Sequence, residues 1–270
     1  MRFPFSRQPA VDPETCELKG PLTGSGLRMR VHPPGDIISE CIRRFGIWEP
    51  AETNYLIAHL RPGDSFVDIG ANIGYHSVVA AHLVGETGRV VAFEPDADNF
   101  KLLAANVMLN RLSVAMNNAA VSDRDGEAML YRSADNMGDH RVWTSGNSKG
   151  TPIRLTRLAP EMIDARTMMK IDVQGWEAKV IIGNLGTIAR ARAVMFEFFP
   201  RWIAQNGDVP AEIIAVLVQA GFGFQLIDNA TQTIAPIRAD EISNMIPALT
   251  AGSGGPGEPP AFIDLIAERH

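Results

Sequence analysis

From residue 50 onward the apolar and polar positions follow two alternating rhythms. SFVDI at 65–69 is a short apolar run that stops at a glycine-containing turn, the mark of a buried strand. YHSVVAAHLV at 75–84 reads as a helix, and GRVVAFEP at 88–95 as a second strand, stopped by Pro95. In the next helix, 98–110, the apolar positions Phe100, Leu103, Ala104, Val107 and Met108 recur at helical spacing. The alternation continues with strands at 114–121, 128–132, 152–158 and 168–173, then a helix at 176–182 and a strand at 193–199. A helix at 210–221, opened by Pro210, and strands at 222–228 and 262–268 complete it. Another helix, opened by Pro50 and running to about Leu60, precedes them all. Strands and helices at this spacing predict an α/β fold with a parallel sheet covered on both faces.

Two regions break the rhythm. Pro4, Pro9, Pro13, Pro21, Pro33 and Pro34 divide the first 49 residues, which we read as an irregular extension packed on the body. Within it, IISECIRRFGIW from Ile37 suggests a short helix or strand. Residues 133–150 are polar and glycine-bearing and read as a surface loop, and GSGGPGEPP at 252–260 is too rich in Gly and Pro to pack. No composition break divides residues 50–270, so they are expected to form one domain.

Composition narrows the class. The chain has 270 residues, 46% of them hydrophobic, with 25 Lys plus Arg against 31 Asp plus Glu, a formal net charge of -6. That balance gives no support to a free-standing nucleic-acid binder. No stretch approaches the ~20 apolar residues of a membrane-spanning helix, and the first residues lack the apolar run of a signal peptide. Cys16 and Cys41 stand without a CxxC pair or a third partner, which excludes a disulfide framework and a Cys-built zinc site. A cytoplasmic protein is the expectation.

The candidate chemistry begins at Asp68-Ile69-Gly70-Ala71-Asn72-Ile73-Gly74, between the first strand and its helix. Glycines there let the backbone approach a ligand at the carboxyl end of a strand, where open parallel sheets bind small molecules. Glu94 ends the second strand, where an acidic residue accepts hydrogen bonds from ribose hydroxyls. NAD and S-adenosylmethionine both contain that ribose. Asp68 favours the second: a pyrophosphate at this turn would be repelled by a carboxylate, whereas an ammonium and a sulfonium would not. Asn72 also stands where the dinucleotide fingerprint places its second glycine.

VDIGANIGYHSVVAA, VVAFEPDADNFKLLAANVMLN, NAAVSDRDGE and MKIDVQGWEAKVIIG, in this order over about residues 50–200, resemble the sequence blocks of FkbM-type S-adenosylmethionine-dependent methyltransferases. The resemblance implies a class I methyltransferase (Rossmann-like) fold: a seven-stranded, mostly parallel sheet with an antiparallel last strand. Residues 128–158 would form an added β excursion. It also implies O-methylation of a hydroxyl on a small-molecule, sugar, glycolipid or polyketide-type metabolite, with S-adenosylhomocysteine as product. Carried over block by block, Asp68, Gly70, Asn72 and Gly74 surround the methionine part of the donor, Glu94 holds the ribose, and the adenine lies near Asn118 to Ala120. Ala119 stands where such proteins place an acidic adenine contact, and Asp123 is the candidate substitute.

Asp172 ends the strand expected beside the glycine loop, so it is a candidate base or acceptor-orienting group; capping the following helix is its structural alternative. Glu197, ending the next strand, is a second candidate, and His140 in the polar loop a third. His76 and His82 read as packing residues. Asp172 and Glu197 could also share a divalent ion, though no Asn follows Glu197 to complete the pattern seen in metal-dependent O-methyltransferases, and we assign no metal. Val-Gln-Gly-Trp after Asp172, in place of Pro-Pro-Tyr, argues against N-methylation of nucleic acid. The long connection from Asn229 to Pro260 is expected to form a lid over the acceptor together with the 133–150 loop, with Ile237, Ile242, Met245 and Ile246 facing the substrate. A nicotinamide-dependent oxidoreductase and a donor-binding scaffold without turnover remain the alternatives.

Overall fold

The computed structural model describes residues 15–131, 141–143, 150–252 and 261–269. It opens with β1 (Thr15–Glu17) and β2 (Arg28–Arg30), an antiparallel pair with Cys16 opposite Met29. α1 (Ile37–Phe45) follows, its first turn capped by the Asp36 carboxylate accepting the Ser39 N–H, its end marked by Gly46 at φ 71°. Prolines predict irregular chain here, but three-residue strands and a nine-residue helix fit between them. Pro50 at the first helical position then opens α2 (Pro50–His59).

The body begins with β3 (Ser65–Ile69), α3 (Tyr75–Val84), β4 (Arg89–Phe93), α4 (Ala97–Leu109) and β5 (Ala115–Asn117). A second sheet follows: β6 (Ala120–Val121), β7 (Gly126–Tyr131), β8 (Arg141–Trp143) and β9 (Thr151–Thr156). The chain returns through β10 (Thr167–Ile171), α5 (Glu177–Ile181), α6 (Leu185–Ile188), β11 (Ala193–Phe198), α7 (Pro200–Gln205) and α8 (Pro210–Gln219). β12 (Phe222–Asp228), β13 (Thr233–Ile237), α9 (Ala239–Ala251) and β14 (Ile263–Arg269) finish it.

Among the described residues the central sheet has eight strands in the order β13-β12-β14-β11-β10-β3-β4-β5. β5, β4, β3, β10 and β11 run parallel, and β14 lies antiparallel between β11 and β12. These seven strands are the set the resemblance implies. The eighth, β13, corrects it: the Asp228 carboxylate accepts the N–H groups of Ala230 and Thr231, a side-chain turn that folds the chain back along β12. Every residue of β3, β10 and β11 is buried, as expected of parallel strands covered on both faces.

The expected strand 114–121 is two strands in two sheets. The Asn117 carbonyl accepts both the Glu94 and the Ala119 N–H, so the chain turns at Asn118; β5 stays on β4 while β6 pairs with β9. The excursion is therefore a four-stranded sheet, β6-β9-β7-β8, that starts at Ala120.

The lid expectation is corrected as well. α9 packs on α7 and α8; Ile242 is fully buried in the main core and Ile237 and Ile246 pack against it. Those side chains complete the sheet's covering layer, and residues 253–260 lie outside the described residues.

The N-terminal segment is tied down by asparagines. The Asn106 amide accepts the Arg30 N–H and donates to the Arg30 and Ile73 carbonyls. Asn110 makes the same pair of bonds with Arg28, and the His32 ring meets Asn99 at 2.7 Å. This anchoring sets Ile38 against the central cleft and carries the chain to Glu49.

Candidate active site

β3 pairs with β4 on one side and β10 on the other, so the strand order reverses at its carboxyl end, where ligands bind in sheets of this kind. A cleft opens there, lined by Gly70, Asn72, Glu94, Ala119, Ala120, Asp172, Gln174 and Trp176, with Leu130 and Val142 of the second sheet as an apolar wall.

The turn after β3 is built for close approach. Gly70 has φ 85°, and a Cβ there would stand 1.8 Å from the Asp172 carbonyl oxygen, so the ends of β3 and β10 meet backbone to backbone. Gly74, at φ 88°, leaves room for Leu103 of α4. Asn72 is a non-glycine residue at φ 51°; its N–H donates to Glu94 Oε2 at 2.8 Å and its side-chain oxygen accepts the Ile73 N–H. Glu94 Oε1 accepts the Asp96 N–H at 2.7 Å. Burial pushes the Glu94 carboxyl up to about 8 against the pull of these two amides. Each oxygen keeps a second lone pair for a ligand hydroxyl.

Asp68 lies one layer below, 1% exposed, its carboxylate accepting the Ser77 hydroxyl at 2.6 Å. Burial raises it to about 6. Its contact is with the first turns of α3, and it is absent from the cleft lining. Asn118 also stands outside the cleft: its amide donates to the Glu94 and Pro95 carbonyls and fixes the end of β4. Ala119 and Ala120 do line the cleft. Asp123 packs beside Gly183, away from it. His140 lies outside the described residues.

At the other end of the cleft the structure brings Asp172 and Glu197 together and adds residues the sequence reading missed. Gln174 Nε2 donates to Asp172 Oδ1 and to Glu197 Oε2, both at 2.7 Å. Lys170 Nζ stands 2.9 Å from Glu49 Oε2, 2.8 Å from Glu52 Oε2 and 3.6 Å from Asp172 Oδ2. Asp264, opposite Glu197 in the β11–β14 register, completes the group. Burial, then Glu52, raises Glu49 well above the usual range; burial, then Asp172, does the same for Glu197. Burial and Glu49 lift Asp264 to about 7. Burial alone would pull Lys170 down, but Glu49 and Glu52 overcome it and hold the ammonium charged. His76 differs from its expected packing role, and Asp172 departs from its alternative reading as a helix cap. His76 faces the acidic group, with Nε2 3.6 Å from Glu49, and Asp172 bonds Gln174 where a helix cap was its alternative.

Lys170 had a readable signal: a charged residue inside the otherwise apolar MMKIDV needs a buried carboxylate partner. Glu49 had none, since its backbone sits at φ 41° directly before a proline and reads locally as a helix start.

The sequence profile of the methyltransferase FkbM domain matches residues 68–225. The 31-O-demethyl-FK506 methyltransferase FkbM of Streptomyces tacrolimicus is 43% identical over 67 residues, 25% of this chain and 25% of that protein, so the match spans a quarter of that relative's length. Among solved structures, the precorrin-6y C5,15-methyltransferase of Geobacter metallireducens shares 9% identity, with 90% of this chain and 94% of that one covered at a TM-score of 0.44. An S-adenosylmethionine-dependent O-methyltransferase of Thermotoga maritima shares 12%, covering 83% and 67% at 0.41. A methyltransferase of Pyrococcus furiosus shares 13%, covering 92% and 91% at 0.42. Among the described residues no helix is long and apolar enough to cross a membrane.

Proposed function

The chain belongs to the methyltransferase FkbM domain family, and from that premise we propose that it is a cytoplasmic S-adenosylmethionine-dependent O-methyltransferase. Its acceptor is a hydroxyl on a small-molecule, sugar, glycolipid or polyketide-type metabolite. The observation that carries this reading is the two-ended cleft: Glu94 beside an apolar wall at one end, Asp172 and Gln174 at the other with Glu197 behind Gln174, joined where Gly70 meets Asp172.

The residues present fit the donor. Ala119, Ala120, Leu130 and Val142 offer flat apolar walls for a base, and Glu94 offers free lone pairs for two ribose hydroxyls. Gly70 and Asn72 border the space for the methionine part, while Asp68 and Gly74 hold the turn from behind. When bound, S-adenosylmethionine supplies a methyl group on a positively charged sulfur.

The chain's own part is to align the acceptor and remove a proton of high pKa. Asp172 reaches the cleft directly, and Gln174 couples it to Glu197, whose carboxyl is pushed above its ordinary range by burial and then by Asp172. The Streptomyces relative's name speaks of an O-methyl position, which supports oxygen as the acceptor atom. A net charge of -6 and an acidic acceptor end disfavour a phosphate-rich partner such as nucleic acid.

Calorimetry with S-adenosylhomocysteine tests the reading. One site per chain is expected, weakened by about 1–3 kcal/mol in Glu94→Gln, the worth of two hydroxyl hydrogen bonds at about 0.5–1.5 kcal/mol each. Absence of binding to the wild type would sink the proposal; unchanged affinity in the variant would remove Glu94 from the ribose role.

A further inference from the structure

The acceptor end of the cleft holds more carboxyl groups than it has cations to answer them. Glu49, Glu52, Asp172, Glu197 and Asp264 gather around Lys170, among the described residues the single ammonium in contact with the group. Lys170 makes hydrogen-bond-length contacts with Glu49 and Glu52 only; at 3.6 Å it leaves Asp172 without one. The surplus negative charge is buried, a costly arrangement unless protons or a cation neutralise it.

Geometry favours a cation. One carboxylate oxygen from each of Glu49, Asp172 and Glu197 lies within 4.8 Å of the other two, close enough for one ion to draw the three together. Asp172 Oδ1 and Glu197 Oε2 both point at one atom, Gln174 Nε2, so a neutral amide stands where two carboxylates converge. A half-turn of that amide presents its oxygen as a further ligand.

A second, independent feature points the same way. His76 is 5% exposed, and its Nε2 has no hydrogen-bond partner. It stands 3.6 Å from Glu49 Oε2 and 3.8 Å from Glu52 Oε2. Ligating carboxylates are usually steadied by an outer hydrogen bond, and His76 is placed to give one to Glu49.

We propose that Glu49, Asp172 and Glu197 form a site for one hard divalent cation, Mg²⁺ or Mn²⁺, at the acceptor end of the cleft. The all-oxygen donor set selects that class of ion. Glu49 belongs to the N-terminal segment, outside the 68–225 match, so the site joins two parts of the chain. The use of the ion rests on the methyltransferase reading. The acceptor's hydroxyl oxygen takes an open position on the cation, which lowers that hydroxyl's pKa. The proton passes to a carboxylate of the group, the oxygen forms a bond to the methyl carbon, and the carbon–sulfur electron pair stays on sulfur.

The test uses the full chain stripped with EDTA. MnCl₂ is titrated by calorimetry and by electron paramagnetic resonance, with and without S-adenosylhomocysteine. One Mn²⁺ per wild-type chain is expected, bound at least tenfold more weakly in Glu197→Gln and in Glu49→Gln. S-adenosylhomocysteine affinity should stay within threefold in both variants. Circular dichroism melts establish that each variant is folded, and Glu197→Gln decides alone if Glu49→Gln is not. No Mn²⁺ bound by wild type at millimolar concentration, or binding that neither substitution weakens, overturns the site. The S-adenosylhomocysteine titration reports separately on the methyltransferase reading, so the two failures are distinguishable.

Discussion

Replacing Asn106 by Ala should cost far more stability than the same change at Asn110, although both side chains make a paired contact with a β2 backbone. Asn106 is fully buried and loses three bonds: from the Arg30 N–H at 2.6 Å, to the Arg30 carbonyl at 3.0 Å and to the Ile73 carbonyl at 2.8 Å. At about 1 kcal/mol net per bond the loss is about 3 kcal/mol, and stranding buried partners adds to it. For a domain of this size 1 kcal/mol moves Tm by about 2–4 °C, so Asn106→Ala should melt about 6–12 °C lower. Asn110 also makes three bonds, with Arg28 at 2.8 and 2.6 Å and to the Asn106 carbonyl at 2.8 Å, but it is only half-buried and those with Arg28 are exposed, where water replaces the lost partner. Its loss should stay within about 0.5 kcal/mol, the usual range for surface substitutions. Differential scanning calorimetry of the two variants beside wild type is the assay. Equal shifts, or no shift in Asn106→Ala, would refute the reasoning that burial sets the cost of these bonds.

Three other outcomes are expected. Gly70→Ala places a methyl 1.8 Å from the Asp172 carbonyl in a left-handed backbone that alone costs about 1–2 kcal/mol; a variant that melts and binds S-adenosylhomocysteine like wild type would disprove the close contact. Lys170→Met strands Glu49 and Glu52 in the interior and should cost about 3–5 kcal/mol by urea titration; a loss below about 1 kcal/mol would show that the pair binds protons instead. Asp68 holds its proton to about pH 6 in the fold against an ordinary 3.8, so the stability it contributes is complete below the lower value and is lost as pH rises through the upper one. Asp68→Asn should therefore flatten the fall of Tm between pH 4 and 7, and an unchanged slope would count against the shift.

What the sequence discloses is local. β3, β4 and β10 are mostly buried runs and β12 a half-buried one, each bounded by Gly, Pro or Asp, so their places are readable to within about two residues. The run 114–121 misleads because apolar residues flank Asn117 and Asn118 on both sides; the turn at Asn118 is held by hydrogen bonds to Glu94 and Pro95, distant in sequence. β13 is hidden because TIAPI holds a proline and lies at the sheet edge, where proline is tolerated. Ile242 looks like a lid residue because an amphipathic stripe does not say which layer it meets. At the site, Glu94, Asp172 and Glu197 are legible as strand-end carboxylates. Their assembly with Glu49, Glu52 and His76 is not, since it joins α2, α3 and the strand ends through tertiary packing alone.

The asparagine anchoring also solves a problem of unpaired backbone. β1 covers one edge of β2, and the other edge presents the N–H and C=O groups of Arg28 and Arg30. Exposed edges of this kind recruit further strands from other molecules. Two residues along an antiparallel strand advance about 6.8 Å, and four residues along a helix about 6.0 Å. Asn106 and Asn110 are four apart and run opposite to Arg28 and Arg30, so a row of side-chain amides matches the pitch of a strand edge and substitutes for a partner strand. A slip of β2 by one residue would place Met29 opposite an amide and turn its apolar side chain away from the core, so the helix fixes the strand's register as well as shielding it.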